Sequence, residues 1–240
     1  MSYEENSHLT SCTPIGSTIN KMHRWTTVLL MGAFACATTL DPVFAEDPTA
    51  VCPEPETAPE PDPEPPEYDR KLWKHWKDAD KDCQDARQEV LVRDSEVPVT
   101  FKPRDDEKEC KVATGQWTCP YTGTVITDAS KVDVDHMVAL KDAHESGGWG
   151  WPADQRQAYA NGLDDPTHLL TTSQYGNRSK GAKGPDEWLP PLESARCQYI
   201  QDWVKVKEGW ELGMSESEYG VITYMLKICS AGQVPVLPQG

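Results

Sequence analysis

Residues 131–181 read KVDVDHMVALKDAHESGGWGWPADQRQAYANGLDDPTHLLTTSQYGNRSKG, and the reading of the whole chain turns on them. Val132-Asp133-Val134 alternates as a short strand and runs into the pair Asp135-His136. His168-Leu169-Leu170 is a second strand-like step. Thr172 or Ser173 can cap a following helix that carries Asn177, Arg178, Ser179 and Lys180, with glycines from Gly181 to stop it. An acid–histidine pair on a strand, followed by an oxygen ligand on a helix, can hold one divalent cation beside one general base. That combination suffices to cut a phosphodiester.

Between the two strands the spacing predicts a helix over 137–145, ended by Gly147-Gly148, and another over 153–160 opened by Pro152. His144, Trp149 and Trp151 fall in this segment, where packing is the commoner use of such residues. On the C-terminal side, a short helix at 185–188 ends at Pro190-Pro191, and two amphipathic helices cover 194–208 and 215–228. Tyr199, Ile200, Trp203 and Val204 form one apolar stripe, and Val221, Tyr224 and Met225 the other. On the N-terminal side, residues 68–93 read as helix broken near 78–82. Strands follow at 97–101, 109–112, 115–117 and 124–126, with a turn at 119–123. Asp78, Asp80 and Asp82 resemble a calcium loop, but no Gly stands at its sixth position and no Glu at its twelfth, so a capped, solvated turn is the reading.

The first 45 of the 240 residues read as a signal-peptide region: a basic start at Lys21, His23 and Arg24, an apolar run to Leu40, and a small-residue cleavage site at Val43-Phe44-Ala45. Met22 is an alternative start. Residues 46–67, rich in Pro and Glu, read as an extended linker, and 68–240 as one folded domain. Of eight cysteines, six remain after removal of the leader, and an even number in a secreted chain implies disulfides. Six cysteines allow about fifteen pairings, among which the sequence does not select. The set expected is Cys83–Cys110 and Cys197–Cys229, each within a region expected to pack locally, with Cys52–Cys119 as the remainder. No Cys-x-x-Cys pair supports a zinc-thiolate site. The net charge of −16 argues against a global field that attracts polyanions. Part of it lies in the linker, which holds eight acids and no base, while residues 68–240 carry 28 acids against 21 bases.

The segments DHMVALKDAHESGGWGW, HLLTTSQYGNRSKG, DEWLPP, RCQYIQDWV and VKEGWEL occur in this order over about 68–229. As an ordered set they resemble the secreted HNH endonucleases, a ββα-metal nuclease branch long described as a domain of unknown function. The resemblance implies an α+β fold: a disulfide-stapled domain with a small antiparallel sheet, an embedded ββα-metal core and a helical C-terminal part. It implies His136 as general base, and Asp135 and Asn177 as ligands of Mg²⁺, or of Mn²⁺ or Zn²⁺. Arg178 and Lys180, with Lys183 nearby, would hold phosphates of a nucleic acid, DNA or RNA. Asp133 would orient a ligand from behind. His168 belongs to the catalytic set but stands where the family has Asn; it either braces the loop of the base or ligates a transition ion. Strict strand alternation would put Asp135 and His136 on opposite faces. The resemblance implies a turn that brings both to one pocket. A non-catalytic binding module on the same fold, and a phosphodiesterase for small diesters, are the alternative expectations. No membrane association is expected once the leader is removed.

Overall fold

The computed structural model describes residues 64–237; the leader, most of the linker, and Cys12, Cys36 and Cys52 lie outside the described residues. Strands β1 (Thr100–Phe101), β2 (Val112–Thr118) and β3 (Val125–Asp128) form one antiparallel sheet in that order. Strands β4 (Val132–His136) and β5 (Leu169–Ser173) form a separate antiparallel pair, with Val132 opposite Ser173 and His136 opposite Leu169. Among the described residues six α-helices accompany them: α1 (Ala86–Arg93), α2 (Leu140–Glu145), α3 (Ala153–Ala160), α4 (Gln174–Lys180), α5 (Arg196–Gly209) and α6 (Glu216–Ser230). The fold is α+β. Among the described residues no helix is long and apolar enough to cross a membrane.

A two-stranded ladder is marginal by itself. Here charged side chains meet four of its backbone groups. Arg87 donates to the Val132 carbonyl at 2.9 Å and Lys180 to the His136 carbonyl at 2.9 Å, both on β4. On β5, Arg93 donates to the Leu169 carbonyl and the Thr171 amide donates to Asp94 at 3.0 Å. Two cores lie beside the pair. One joins Val90 and Leu91 of α1 with Val112, Trp117, Val132, Val134 and Leu169. The other joins Trp73, Met137, Val138, Tyr159, Tyr199, Ile200 and Trp203 with Ile222 and Met225.

Helix α4 starts where the sequence places its cap, since the Ser173 hydroxyl accepts from the Gly176 amide at 3.0 Å. Gly176 sits in a tight place: a Cβ there would lie 3.1 Å from Ser173 Oγ, 3.3 Å from Tyr121 Cβ and 3.4 Å from Cys119 Sγ, so these neighbours would have to shift to admit it. Gly181, at φ +60°, ends the helix in a conformation that favours glycine. Disulfides Cys83–Cys110 and Cys197–Cys229 are both present. The first ties the approach to α1 onto the segment before β2, and the second ties the start of α5 to the end of α6. Each is worth about 2–4 kcal/mol. Cys119 is buried and forms no disulfide with a described residue.

Four local expectations change. Residues 68–84 are not helical beyond a single 3₁₀ turn at Arg70–Leu72. Trp76, Lys81 and Cys83 have positive φ, and Asp78 and Asp82 accept from backbone amides of Lys81, Cys83 and Gln84, the competition that keeps Asp out of helices. The expected strands at 109–112 and 115–117 are one strand, β2. Residues 185–188 form a turn rather than a helix. Tyr224, placed in the α6 stripe, is 52% exposed, and Ile222 takes the inward position.

Candidate active site

β4, β5 and α4 together make a strand–strand–helix unit, with α2 and α3 inserted between the strands. β4 stays extended through His136, so no turn separates Asp135 from His136. Alternation sends their side chains to opposite faces, Asp135 to Tyr121 and Lys180 and His136 to Trp76, Tyr159, His168 and the Ala160 carbonyl, while the Lys180 charge acts on both. The strand's period of two therefore prevails over the single shared pocket that the resemblance implied.

Asp133 and Asp135 share the face covered by α4. Asn177 donates to Asp133 Oδ2 at 3.2 Å, and Arg178 Nε lies 3.7 Å from the same oxygen. Asp135 Oδ2 accepts from the Tyr121 hydroxyl at 2.8 Å and from Lys180 Nζ at 2.9 Å. Its Oδ1 takes no hydrogen bond from the described residues. Burial pushes the Asp135 carboxyl above its ordinary range, against the pull of Lys180. Asp135 and Asn177 both offer hard oxygen donors, each contacted from this side of β4, Asp135 by Tyr121 and Lys180 and Asn177 by Asp133. Such a set suits Mg²⁺, which takes few protein oxygens and keeps several waters.

Lys180 corrects the sequence reading. Its side chain is 0% exposed and its ammonium is shared between Asp135 and the His136 carbonyl, so it does not stand at the surface to meet a phosphate. It instead neutralises Asp135 from within the fold. Arg178 is the exposed cation of α4, with 70% of its side chain open to solvent.

On the opposite face, His136 is only 6% exposed. Its Nε2 donates to the Ala160 carbonyl at 3.1 Å, which fixes the tautomer and leaves the Nδ1 lone pair free. Nδ1 is not among the sealed, unpaired nitrogens of the described residues. Burial first, then the neighbouring His168, holds the imidazole pKa well below its ordinary range, so the ring is neutral near pH 7. His168 sits beside it, with ring centroids 5.9 Å apart. Its Nε2 donates to the Tyr159 carbonyl at 2.6 Å, and its own carbonyl accepts from the Met137 amide at 2.9 Å. Both histidines thus end on the last two carbonyls of α3, of which that of Tyr159 also accepts from the Gly162 amide at 3.4 Å. His168 Nδ1 is buried and unpaired, with the ring enclosed by Tyr159 and Trp210, at 4.5 and 5.5 Å.

His144 is away from both faces. It donates to the Pro66 carbonyl at 2.7 Å and packs on Tyr68 and Trp73. Trp151 packs among Trp73, Tyr159 and Trp210. Sequence reasoning missed Tyr121, Tyr159 and Trp76, all in contact with Asp135 or His136. Each reaches the site through tertiary packing, and no local pattern marks it.

The loop before His168 depends on Asp165, whose carboxylate accepts from Thr167 and, at 2.8 Å, from Lys205. Burial raises its pKa, but the bonds from Lys205 and Thr167 outweigh that and bring it to about 2. The folded value is depressed below the unfolded value of about 3.9, so the contribution is present above that pH and is lost as pH falls toward 2. Melting temperature measured against pH should therefore fall less steeply for Asp165→Asn than for the parent between about pH 4 and pH 2. Parallel curves would contradict this.

Residues 85–219 match the family described as "GmrSD restriction endonucleases, C-terminal domain". An uncharacterized secreted protein of Arthroderma benhamiae is 37% identical over 163 residues, covering 68% of this chain and 76% of that protein. No solved structure matches.

Proposed function

The chain belongs to the family of GmrSD restriction endonuclease C-terminal domains, and we propose that it is an exported, metal-dependent endonuclease hydrolysing phosphodiester bonds of DNA, or of RNA. Two disulfides and a relative named as secreted agree with work outside the cytoplasm. One observation carries the reading. A single ββα unit presents, on one face of β4, a neutral histidine with a free Nδ1 and, on the face under α4, an Asp135 oxygen that takes no bond from the described residues together with the Asn177–Asp133 pair.

His136, the last residue of β4, would take the proton from the attacking water through Nδ1, while the Ala160 carbonyl holds the ring from behind. Because Asp135 and Asn177 lie on the strand's other face, substrate would have to span the end of β4 for that water to attack at the ion. Asp135 and Asn177 would hold the ion, with Asp133 orienting Asn177 and Lys180 keeping Asp135 ionised. When bound, Mg²⁺ would polarise the phosphate and stabilise the leaving oxygen. Arg178 pairs with a flanking phosphate, a contact that positions the strand without reading its sequence. His168 braces the base loop, in keeping with its carbonyl bond to Met137 and its enclosed ring.

Plasmid DNA and RNA incubated with Mg²⁺, Mn²⁺ or a chelator test the reading. Cleavage should require the metal, and Asn177→Ala should lower the rate and raise the metal concentration for half-maximal rate. His168→Asn should retain activity with unchanged metal preference. Retention of DNA without cleavage under any metal would favour a binding module instead. Turnover of small diesters but not of plasmid would favour a small-substrate phosphodiesterase.

A further inference from the structure

The turn at residues 74–77 lies before the stretch that matches the family, yet it reaches the candidate base. Trp76 has φ +58°, a conformation that a bulky side chain adopts only when its surroundings impose it. Asn161 imposes it here. Its carbonyl oxygen accepts from the Lys77 amide at 2.8 Å and its amide donates to the Lys74 carbonyl at 2.6 Å, so one side chain closes the turn from both ends. The Lys77 carbonyl also accepts from the Ala86 amide at 2.9 Å, which joins the turn to the start of α1. The result sets the half-buried Trp76 ring 5.9 Å from the His136 ring at 31°. Tyr159 lies nearly parallel to the same imidazole, 6.2 Å away at 7°.

Asn161 directly follows Ala160, whose carbonyl takes the His136 Nε2 proton. One corner at the end of α3 therefore fixes both the edge of the imidazole and the aromatic ring beside it. A ring held at one nitrogen can still pivot about that bond, and flanking aromatics remove the pivot. We infer that Trp76, clamped by Asn161, is a positioning residue that holds the His136 ring with Nδ1 toward the reacting water. This rests on the reading of His136 as the base. The role assigned to Trp76 is exerted through the histidine, with which its ring is in contact.

The test is a double-mutant cycle on plasmid cleavage at saturating Mg²⁺, with thermal unfolding of every variant. Trp76→Ala should lower kcat by up to about 10²-fold, the loss that a small misplacement of a catalytic group brings, with KM and half-saturating metal unchanged. Trp76→Phe, which keeps an aromatic ring, should recover most of it. In a His136→Ala background, Trp76→Ala should bring no further loss, since the group it positions is gone. Asn161→Ala should behave in the same way and carries the cycle if Trp76→Ala fails to fold. Folded Trp76→Ala or Asn161→Ala with parental kcat would overturn the inference, as would an equal loss in both backgrounds. Activity surviving in His136→Ala would instead remove the base assignment itself.

Discussion

His136→Ala is expected to cleave plasmid DNA about 10²–10⁴-fold more slowly than the parent protein, the range for losing a general base. Metal binding, read by calorimetry, should be retained. The two outcomes separate because His136 and the candidate ligands occupy different faces of β4. Removing the imidazole leaves the Asp135–Lys180–Tyr121 cluster and the Asp133–Asn177 bond intact. It does leave the Ala160 carbonyl without its side-chain donor, at the end of a helix where another donor or water can replace it. Stability should accordingly change far less than rate. A histidine ligand of the metal would give the opposite pattern, with metal affinity and rate lost together. Undiminished cleavage by the variant, with contaminating nuclease excluded, would end the base assignment.

The elements that the sequence revealed are those with local signatures. Ser173 is a cap followed by a short helix, Pro152 opens α3, and alternation marks β4; each of these follows from residues within one or two turns of the position concerned. The even cysteine count made disulfides expected but left their pairing open; the two present each close a loop of about thirty residues inside one packed region. What stayed hidden is the partnership of side chains across the fold. Asp135 reads as a ligand and Lys180 as a phosphate cation, because both are charged and both stand in the motif. Nothing local says that one is paired with the other. Residues 68–84 misled for the opposite reason. Their apolar spacing is helical, but the Asp78 and Asp82 carboxylates bind backbone amides and Asn161, far along the chain, closes the turn around Trp76.

The exchange of roles at Lys180 can be measured. Lys180→Met should lower stability by about 3–5 kcal/mol, the loss that follows when one partner of a buried ion pair is removed. For a chain of this size that is a fall of about 6–20 °C in melting temperature. Asp135, 6% exposed, would keep the Tyr121 hydroxyl as its only donor among the described residues, and the His136 carbonyl would lose its donor as well. The methionine fills similar volume, so lost packing contributes little. Combining Lys180→Met with Asp135→Asn should restore much of the stability, because the uncompensated charge is then gone. It should not restore cleavage, since Asp135 is a proposed ligand. A surface lysine that meets a phosphate behaves in the reverse manner. Its replacement changes stability by less than about 0.5 kcal/mol, while nucleic-acid affinity falls and the salt dependence of binding weakens by about one unit of slope. Parental stability with weakened, less salt-dependent DNA binding in Lys180→Met would therefore return this residue to the surface role that the motif implies. The same substitution at Arg178, which is exposed, should show that second pattern in the active protein.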